Sequence, residues 1–327
     1  MSTIPTTFNI PSYTVVGGTE RAASTGLSAV LLNRGGPYSR RGLFQALEKA
    51  GFDYIVSMEG KREHYDLEDL SGRFPFVRFI LTKENLSPGE EINLAASELL
   101  SPLFFVLWND YRLFNGINAQ RISRLFLRNG ASRICTVPVI QNSRFEVLHT
   151  LTSPLYYRNT VKALPGLPEK ENQPSLFPHD WVGIYGREAF LRIGGFDREI
   201  KTGHWQLMDF GFRAHLWGER IHSTQLVRMV YDGGAPPADS TADGSYRLFY
   251  LKNLAPVFRD DHGHLPLRRF PSCLAKTGWD LLTAWEEFFH ERRWVKENRS
   301  RFRSDARTIT DLWESAAGAD ENGGPDY

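Results

Sequence analysis

Short apolar runs and amphipathic segments alternate through the first half of the chain. The apolar run at residues 27–33 predicts a buried strand, and a segment with Leu43, Phe44 and Leu47 on one helical face follows it. A second strand is predicted at residues 53–58. A strand, a helix and a strand within roughly thirty residues are typical of a βαβ unit with parallel pairing.

The same alternation continues to residue 140. Strands are predicted at 74–81, 103–108 and 134–140, and helices at 90–100 and 117–128. The run at 103–108 is almost entirely apolar, which is typical of a central strand covered on both faces. The pattern therefore predicts an α/β fold, with a mostly parallel sheet and helices on both of its faces.

The second half of the chain carries two longer polar segments. One is the proline-rich stretch at 164–178, and the other is 232–245, where glycine, proline and aspartate recur. Between them we expect a strand at 181–185 and helices at 187–193 and 206–217. Loops of this length inside a compact domain are usually functional or disordered.

The patterning divides the chain into three parts. Residues 1–25 are a polar leader, residues 26–250 hold the alternating strands and helices, and residues 251–327 form a mainly helical extension. In this extension, residues 276–316 repeat aromatic and aliphatic positions at three- and four-residue steps. The acidic, glycine-rich tail from Ala317 is predicted to be frayed.

Composition narrows the class of protein. The 327 residues are 41% hydrophobic and 24% charged, which is a globular composition. Lysine plus arginine number 39 and aspartate plus glutamate 38, which argues against a nucleic-acid binder because phosphate contacts need clustered positive charge. Cys135 and Cys273 form no zinc motif and fit a reducing cytoplasm. The amino terminus shows no secretory pattern, and the longest apolar-rich stretch, 99–108, is too short to span a bilayer. We therefore expect a cytoplasmic protein.

Polar residues appear abruptly after the strand predicted at 103–108. Asn109 and Asp110 follow it directly. Ligands of open α/β sheets bind at the carboxyl ends of the strands, and a carboxylate there could hold a divalent cation that bridges phosphates. The alternative is that Asn109 and Asp110 only begin a turn.

A second group of candidate residues follows a pair of glycines. Gly194 and Gly195 form a predicted tight turn, and Phe196 follows as an apolar anchor. Asp209 is predicted at the start of a helix, with Arg213 one turn later. Asp209 then has two interpretations: it pairs with Arg213 and the helix dipole, or it is a general base that faces a cleft.

Four segments resemble, in their order, the family-two inverting nucleotide-sugar glycosyltransferases of the GT-A fold. They lie within residues 26–250 and read LSAVLLN with GLFQALEKAG, DYIVSMEG, NLAASELLSPLFFVLWND and GGFDREIKTGHWQLMDFGFR. The GGFD turn with its downstream aspartate and arginine is the most specific of them. The resemblance implies a GT-A-like fold and transfer of a hexose from a nucleoside-diphosphate sugar to a hydroxyl acceptor with inversion. It also implies a role in the synthesis of surface polysaccharide or another glycan.

The resemblance further implies roles for individual residues. Donor-binding residues lie at the ends of the first, second and central strands: Leu32, Asn33, Arg34, Glu59, Asn109 and Asp110. The acceptor side of the cleft is formed by residues near the glycine pair: Gly194, Gly195, Phe196 and Trp205. Asp209 matches the acid that deprotonates the acceptor, and Arg213 would steady this acid or the phosphates. Asp110 matches the last acid of the metal-binding DxD motif, which implies Mg²⁺ or Mn²⁺ as cofactor.

The chain departs from the family at this metal motif. It reads Trp108-Asn109-Asp110, so the first acid is missing, and one carboxylate holds a divalent cation less firmly than two. A catalytically silent nucleotide-sugar or glycan-binding protein of the same fold is therefore an alternative. A nucleotidyltransferase is a third interpretation, but the glycine-rich basic loop that such enzymes use after the first strand is poorly matched here.

A basic segment lies near the carboxyl end of the chain. Residues 291–307 contain seven lysines and arginines, interleaved with Trp294 and Phe302. A cationic helix with aromatic anchors predicts peripheral contact with the inner face of an anionic membrane, near a lipid-linked acceptor. The alternative is a helix whose aromatic residues pack on the main domain while its arginines cover the surface.

Overall fold

The computed structural model describes most of the chain. The described residues are 11–18, 25–34, 40–60, 67–114, 116–128, 133–157, 160–233 and 239–313. Parts of three predictions lie outside the described residues: both ends of the polar leader, the centre of the 232–245 loop and the acidic tail from Ala317.

Strands and helices alternate along the described chain. The strands are β1 (Tyr13–Gly17), β2 (Leu27–Leu32), β3 (Ile55–Glu59), β4 (Val77–Thr82), β5 (Leu103–Trp108), β6 (Arg112–Leu113), β7 (Arg133–Gln141), β8 (Leu151–Tyr157), β9 (Thr160–Gly166), β10 (Gly183–Gly186), β11 (Arg220–Val230), β12 (Val257–Arg259) and β13 (His262–His264). The helices are α1 (Arg40–Ala50), α2 (Leu67–Arg73), α3 (Pro88–Glu98), α4 (Ala119–Arg128), α5 (Arg187–Arg192), α6 (Gly203–Leu216), α7 (Gly244–Phe249), α8 (Phe270–Lys276) and α9 (Leu281–Glu297). A further helix begins at residue 306 and is described to residue 313.

The central sheet of the described chain has the strand order β1-β4-β3-β2-β5-β10-β7-β11-β6. Strands β2 to β5 are paired in parallel, and β7 and β11 run in the same direction. Strands β1, β10 and β6 run the opposite way. The prediction of an α/β fold with a mostly parallel sheet is therefore confirmed.

The pairing of β2 with β5 sets the edge at which the candidate site lies. Every residue of both strands is buried, so each strand is covered on both faces. Their register places Leu32 opposite Trp108, the last residue of each strand. The first polar residues after the two strands, Asn33 and Asn109, therefore emerge side by side at one edge of the sheet.

Several strands lie where the sequence pattern predicted loops or helices. Part of the polar leader forms β1, an edge strand antiparallel to β4. The hairpin of β8 and β9 extends into the predicted loop at 164–178. Strand β11 was not predicted, nor was the short hairpin of β12 and β13 within the extension. Strands β1, β9 and β11 carry many exposed or half-buried residues, so they lack the continuous apolar run that marks β2 and β5.

The aromatic residues of the basic segment pack inside the protein. Trp294 stacks on Trp217 with ring centroids 5.9 Å apart, and Phe302 meets the same ring edge-on at 6.2 Å. Phe302 is only 1% exposed. The prediction that these two residues anchor a membrane contact is therefore wrong, and contact through 291–307 would depend on charge alone. Among the described residues, no helix combines the length and the apolar character that crossing a bilayer requires.

A buried ammonium group joins the extension to the rest of the chain. Lys252 Nζ lies 2.7 Å from Asp197, 3.0 Å from Glu199 and 3.5 Å from Glu291 of α9. Burial lowers the pKa of Lys252, but the carboxylates outweigh it and the pKa is raised. Burial also raises the pKa of Glu291 to about 7, because Lys252 only partly offsets the loss of hydration.

The same carboxylates form a cluster that could in principle hold a metal ion. Ligand atoms of Glu199, His290 and Glu291 lie within 4.8 Å of one another. The ammonium of Lys252 already supplies positive charge to two of these carboxylates. We therefore interpret the cluster as an ion-pair network that fixes α9 to the segment after α5.

Replacing Glu291 by glutamine should change how stability depends on pH. The pKa of about 7 in the folded protein exceeds the ordinary value of 4.5, so the folded chain binds this proton more tightly than the unfolded chain. The stability that this group contributes is therefore present at low pH and is lost as the pH rises toward 7. We therefore expect the free energy of unfolding of Glu291→Gln, relative to that of the parent protein, to increase by about 2 kcal/mol from about pH 5.5 to about pH 8.5.

Urea unfolding at the two pH values measures this difference. Glu286→Gln is the control, because Glu286 lies on the same helix but is exposed. An equal difference between Glu291→Gln and the parent protein at both pH values would contradict the assignment.

Candidate functional site

The ends of β2 and β5 bring five of the six predicted donor-binding residues together. Leu32 ends β2 with a buried side chain, and its carbonyl accepts a hydrogen bond of 3.0 Å from the backbone N–H of Asn109. The backbone N–H of Arg34 donates to Asn109 Oδ1 at 3.2 Å. Asn33 and Asp110 flank these two bonds. The structure thus places the loops after the two strands in direct contact.

Glu59, at the end of β3, is bound within the protein. Both of its carboxylate oxygens accept hydrogen bonds from Arg40 Nη1, at 2.6 and 2.5 Å. Ser57 Oγ donates to Oε1 at 2.7 Å, and the side chain of Glu59 is buried. The carboxylate therefore holds Arg40 at the start of α1 in this structure, and its contact with a nucleotide stays a prediction.

The guanidinium of Arg34 lies between two carboxylates. Its Nη2 donates to Asp180, and its Nε lies 3.6 Å from Asp110 Oδ2. The plane of the guanidinium lies over the ring of Trp108, 4.1 Å from the centroid. Tyr111 Oη donates to the same Asp180 oxygen at 3.2 Å. Two charges, a hydroxyl and an aromatic face therefore fix the position of Arg34.

Asp180 belongs to a strained turn. Asp180 and Trp181 both have left-handed backbone conformations, with φ of 53° and 60°. Such a conformation costs about 1–2 kcal/mol for each non-glycine residue. The turn is held because Trp108 Nε1 donates to the Asp180 carbonyl at 2.9 Å and Tyr185 Oη donates to the Trp181 carbonyl at 2.7 Å. Strain of this kind is often found at functional sites.

Burial has the largest effect on the pKa values of the titratable residues around Arg34. It raises the pKa of Asp180 to about 6, although Arg34 favours the charged form. It also raises the pKa of Asp110, again against Arg34. Burial and the nearby Arg34 lower the pKa of His179 to about 4, so this imidazole is neutral at physiological pH. The single positive charge of Arg34 is therefore shared by two partly dehydrated carboxylates.

A cleft of about 510 Å³ opens beside this group. Residues of α1, including Leu43 and Ala46, form one wall, and the segment from Asn109 to Leu113 forms the opposite wall. Asp232, after β11, lies at the rim and pairs with Arg112. The volume falls within the range of small-molecule sites.

Three polar atoms of the group are buried without a hydrogen-bond partner. The described residues provide none for Asn33 Oδ1, Arg34 Nε or Asp110 Oδ1. Leaving a buried polar group unpaired costs about 1–3 kcal/mol, so such atoms require an explanation. Three such atoms near a cleft that Asp110 lines are explained most simply by a polar ligand that bonds to them.

The residues around Asp110 and Arg34 fit a divalent cation poorly. Asp110 offers one unpaired oxygen, but Arg34 lies beside the other. A divalent cation about 4 Å from the guanidinium would be repelled by about 8 kcal/mol at an effective dielectric constant of about 20. Magnesium or manganese at Asp110 thus remains a prediction from the sequence, and the arrangement of Arg34 disfavours it.

Asp209 and Arg213 lie in the interior. Asp209 is in the second turn of α6 and is fully buried. Its Oδ2 accepts from Arg213 Nη2 at 2.6 Å, and its Oδ1 accepts from Asn253 Nδ2 at 2.7 Å. Arg213 also donates to the carbonyls of Ile193 and Gly195, at 2.6 and 2.8 Å. The geometry therefore favours the interpretation that Asp209 pairs with Arg213, and its role as a general base stays a prediction.

The predicted acceptor residues also pack into the core. Gly195 has φ of +62°, and a Cβ there would collide with Asn93 Oδ1. Phe196 is 1% exposed and stacks on Phe210 at 4.4 Å. Trp205 is 5% exposed and donates through Nε1 to a backbone carbonyl at 2.7 Å. These three residues are enclosed in this structure, and half-buried Gly194 belongs to the same interior turn. Their role on the acceptor side of a cleft stays a prediction.

Little in the sequence indicated the other residues that surround Arg34. Asp180 and Trp181 follow a proline-rich segment that resembled a simple loop. Arg40 stood out only as a basic residue at the start of α1, and Tyr111 as the next residue after Asp110. A lone acid directly before a predicted strand, as Asp180 is, was the available signal.

Removing the charge of Asp209 should mainly cost stability. Asp209→Asn leaves the buried guanidinium of Arg213 without a counter-charge, and breaking a buried pair in this way costs about 3–5 kcal/mol. Asp69 and Arg73 form a pair with the same four-residue helical spacing on the surface. Asp69→Asn should cost no more than about 0.5 kcal/mol. Thermal or urea unfolding of both variants measures the contrast, and an Asp209→Asn protein as stable as the parent would refute the structural role.

No protein-family model and no curated protein sequence matches the chain. Among solved structures, GalNAc-T7 with UDP, GalNAc and Mn²⁺ aligns with a TM-score of 0.51 and 15% identity, over 69% of this chain and 48% of that chain. The chain thus spans about half the length of GalNAc-T7.

Two further structures align with lower scores. S. aureus TarS aligns at a TM-score of 0.46 and 11% identity, over 83% of this chain and 55% of that chain. The mannosyltransferase PcManGT from Pyrobaculum calidifontis, in complex with GDP-Man and Mn²⁺, aligns at 0.45 and 11%, over 94% and 79%. The likeness to GalNAc-T7, together with the sheet order and the site at the strand ends, shows that this chain has the fold of the GT-A-type glycosyltransferases.

Proposed function

We propose that the protein binds a nucleoside-diphosphate sugar in the cleft beside α1 and transfers the sugar to a hydroxyl acceptor. The observation that carries this proposal is the set of unpaired, buried polar atoms of Asn33, Arg34 and Asp110, of which Asp110 lines the cleft. In a GT-A-type fold this edge is the carboxyl end of the parallel strands, where ligands of open α/β sheets bind.

The walls of the cleft suit the parts of such a donor. Leu43 and Ala46 of α1 offer an apolar surface for the nucleoside, and Asn109 and Asp110 line the opposite wall. Positive charge for the diphosphate is close by in the Arg34 guanidinium. Preorganised positive charge stabilises the nucleoside diphosphate as it leaves, because its negative charge increases during bond cleavage.

The proposed reaction is a single displacement at the anomeric carbon. The acceptor oxygen forms the new glycosidic bond as the bond to the diphosphate breaks, the configuration inverts, and the hydroxyl proton passes to a base. We extend the proposal to a hexose donor and a glycan or lipid-linked acceptor in the cytoplasm, as in surface polysaccharide synthesis. The supporting observation here is only the resemblance of the four sequence segments.

A second candidate function is binding without transfer. The pairing of the nearby carboxylates with arginines favours this second function. Asp209 is buried in an ion pair, and the acids that line the described cleft, Asp110 and Asp232, lie beside Arg34 and Arg112. A protein of this kind would bind a nucleotide sugar or glycan and lack a free base for the acceptor.

Ligand-induced stabilisation tests whether the cleft binds a donor. UDP, GDP, CDP and dTDP are each added to the purified protein with and without Mn²⁺, and the melting temperature is recorded. A ligand at about 100 times its Kd stabilises the folded state by about 2.7 kcal/mol. We expect one of the four diphosphates to raise the melting temperature by several degrees and the others to have smaller effects.

Two tryptophan variants, one in the cleft and one matched control outside it, test whether the ligand binds in the cleft. Ala46→Trp inserts a large ring into the cleft from α1 and should abolish the shift. Ala275→Trp, on the exposed surface of α8, should leave it unchanged. No shift with any diphosphate would refute the donor site. Where a shift is found, release of the diphosphate from a sugar nucleotide in the presence of hydroxyl acceptors separates the transferase from the silent binder.

A further inference from the structure

The guanidinium of Arg34 is a cation that lies between two acidic side chains. Asp180 accepts a hydrogen bond from its Nη2, and Asp110 lies 3.6 Å from its Nε. Trp108 supports the flat face of the guanidinium at 4.1 Å. The side chain keeps 23% of its surface exposed, so one side of it is open to a ligand.

Arg34 retains the donor groups that a phosphate needs. A guanidinium carries five N–H donors in a rigid fork that matches phosphate oxygens and stays charged at any physiological pH. Its Nε makes no hydrogen bond to the described residues but is buried beside Asp110, so a phosphate would meet the exposed part of the fork. Its backbone N–H is held by Asn109, so the side chain begins from a fixed point.

The surrounding acids explain why the guanidinium does not move away. Two carboxylates orient Arg34, while the Tyr111 hydroxyl and the strained turn at Asp180 fix one of these carboxylates. A metal ion would have to displace this guanidinium or accept its repulsion at short range. The same two carboxylates that could have bound a metal are used to position an arginine.

We propose that Arg34 takes the place of the divalent cation and binds the diphosphate of the donor directly, so that donor binding needs no metal. Asp110 and Asp180 are positioning residues in this arrangement. The inference rests on the proposed function for the identity of the diphosphate. It goes beyond that function by naming the group that neutralises the phosphates.

Calorimetric binding to the full chain tests the inference. UDP, GDP, CDP, dTDP and inorganic pyrophosphate are titrated in excess EDTA and, for the nucleotides, also with Mn²⁺. We expect binding in EDTA with an affinity that Mn²⁺ leaves unchanged. Arg34→Gln should weaken binding in EDTA about 10- to 100-fold, the effect of losing hydrogen bonds to a charged group. Arg34→Lys should bind with intermediate affinity, since it keeps the charge but loses the fork.

Two further variants separate this role from a structural one. Arg41→Gln removes an equal charge from the exposed surface of α1 and should leave the affinity unchanged. Asp180→Asn keeps the guanidinium but loosens its position, so it should weaken binding in EDTA without making binding respond to Mn²⁺. This second variant also tests the inference where Arg34→Gln fails to fold, which its melting curve without ligand reveals.

The outcomes distinguish the two proposals. Nucleotide binding that requires Mn²⁺ and is abolished by EDTA would overturn the role of Arg34 and leave the proposed function intact. Pyrophosphate binding in EDTA that depends on Arg34, without any nucleotide binding, would support Arg34 and overturn the proposed donor. Binding of none of these ligands under either condition would overturn both.

Discussion

The parallel pairing of β2 with β5 determines where Asn33, Arg34, Asn109 and Asp110 meet in the candidate site. Both strands are buried along their whole length, and a shift of one residue would turn their side chains to the opposite faces. This register is strongly fixed by the core. It brings the polar residues that follow the two strands, including Arg34 and Asp110, to one point on the edge of the sheet. The apolar packing of the two strands therefore determines how precisely these polar residues are positioned.

Pairs of arginine and carboxylate are the common chemical feature of this edge. Arg40 is held by Glu59, Arg34 by Asp180, and Arg112 by Asp232. Each pair differs in burial, from the enclosed Glu59 to the exposed Arg112. An anionic ligand would meet guanidinium groups whose positions are already fixed, so little conformational entropy would be lost on binding. The acids next to these arginines reduce the net positive potential, which would restrict binding to ligands that can form directed hydrogen bonds.

The parts of this structure that the sequence predicted are those governed by local pattern. The buried runs of β2 and β5 were visible as apolar stretches, and the polar residues at their ends, such as Asn33 and Asp110, were correctly placed at one edge. The position of Asp209 within its helix was predicted incorrectly because the start of α6 depends on packing against distant residues. The helix begins at Gly203, where a Cβ would come within 2.7 Å of the Trp181 ring, and not at residue 206.

Long-range partners explain the remaining errors. Asn253, which occupies one oxygen of Asp209, lies 44 residues away, and Asp180 meets Arg34 across 146 residues. No periodicity or motif in a single sequence reports contacts at such separations. The edge strands β1 and β11 were missed for a related reason: partly exposed strands carry mixed side chains whose pairing is set by the strand beside them.

The ammonium of Lys252 has a consequence for the order of events during synthesis of the chain. Two of its acidic partners, Asp197 and Glu199, precede it in the sequence, whereas Glu291 and the Trp294 ring beneath it are made later. While the ribosome is still adding α9, the nascent chain carries an ammonium whose enclosure is incomplete. The complete enclosure of this ammonium, which Asp197 and Glu199 share with α9, therefore has to wait until α9 has been synthesised.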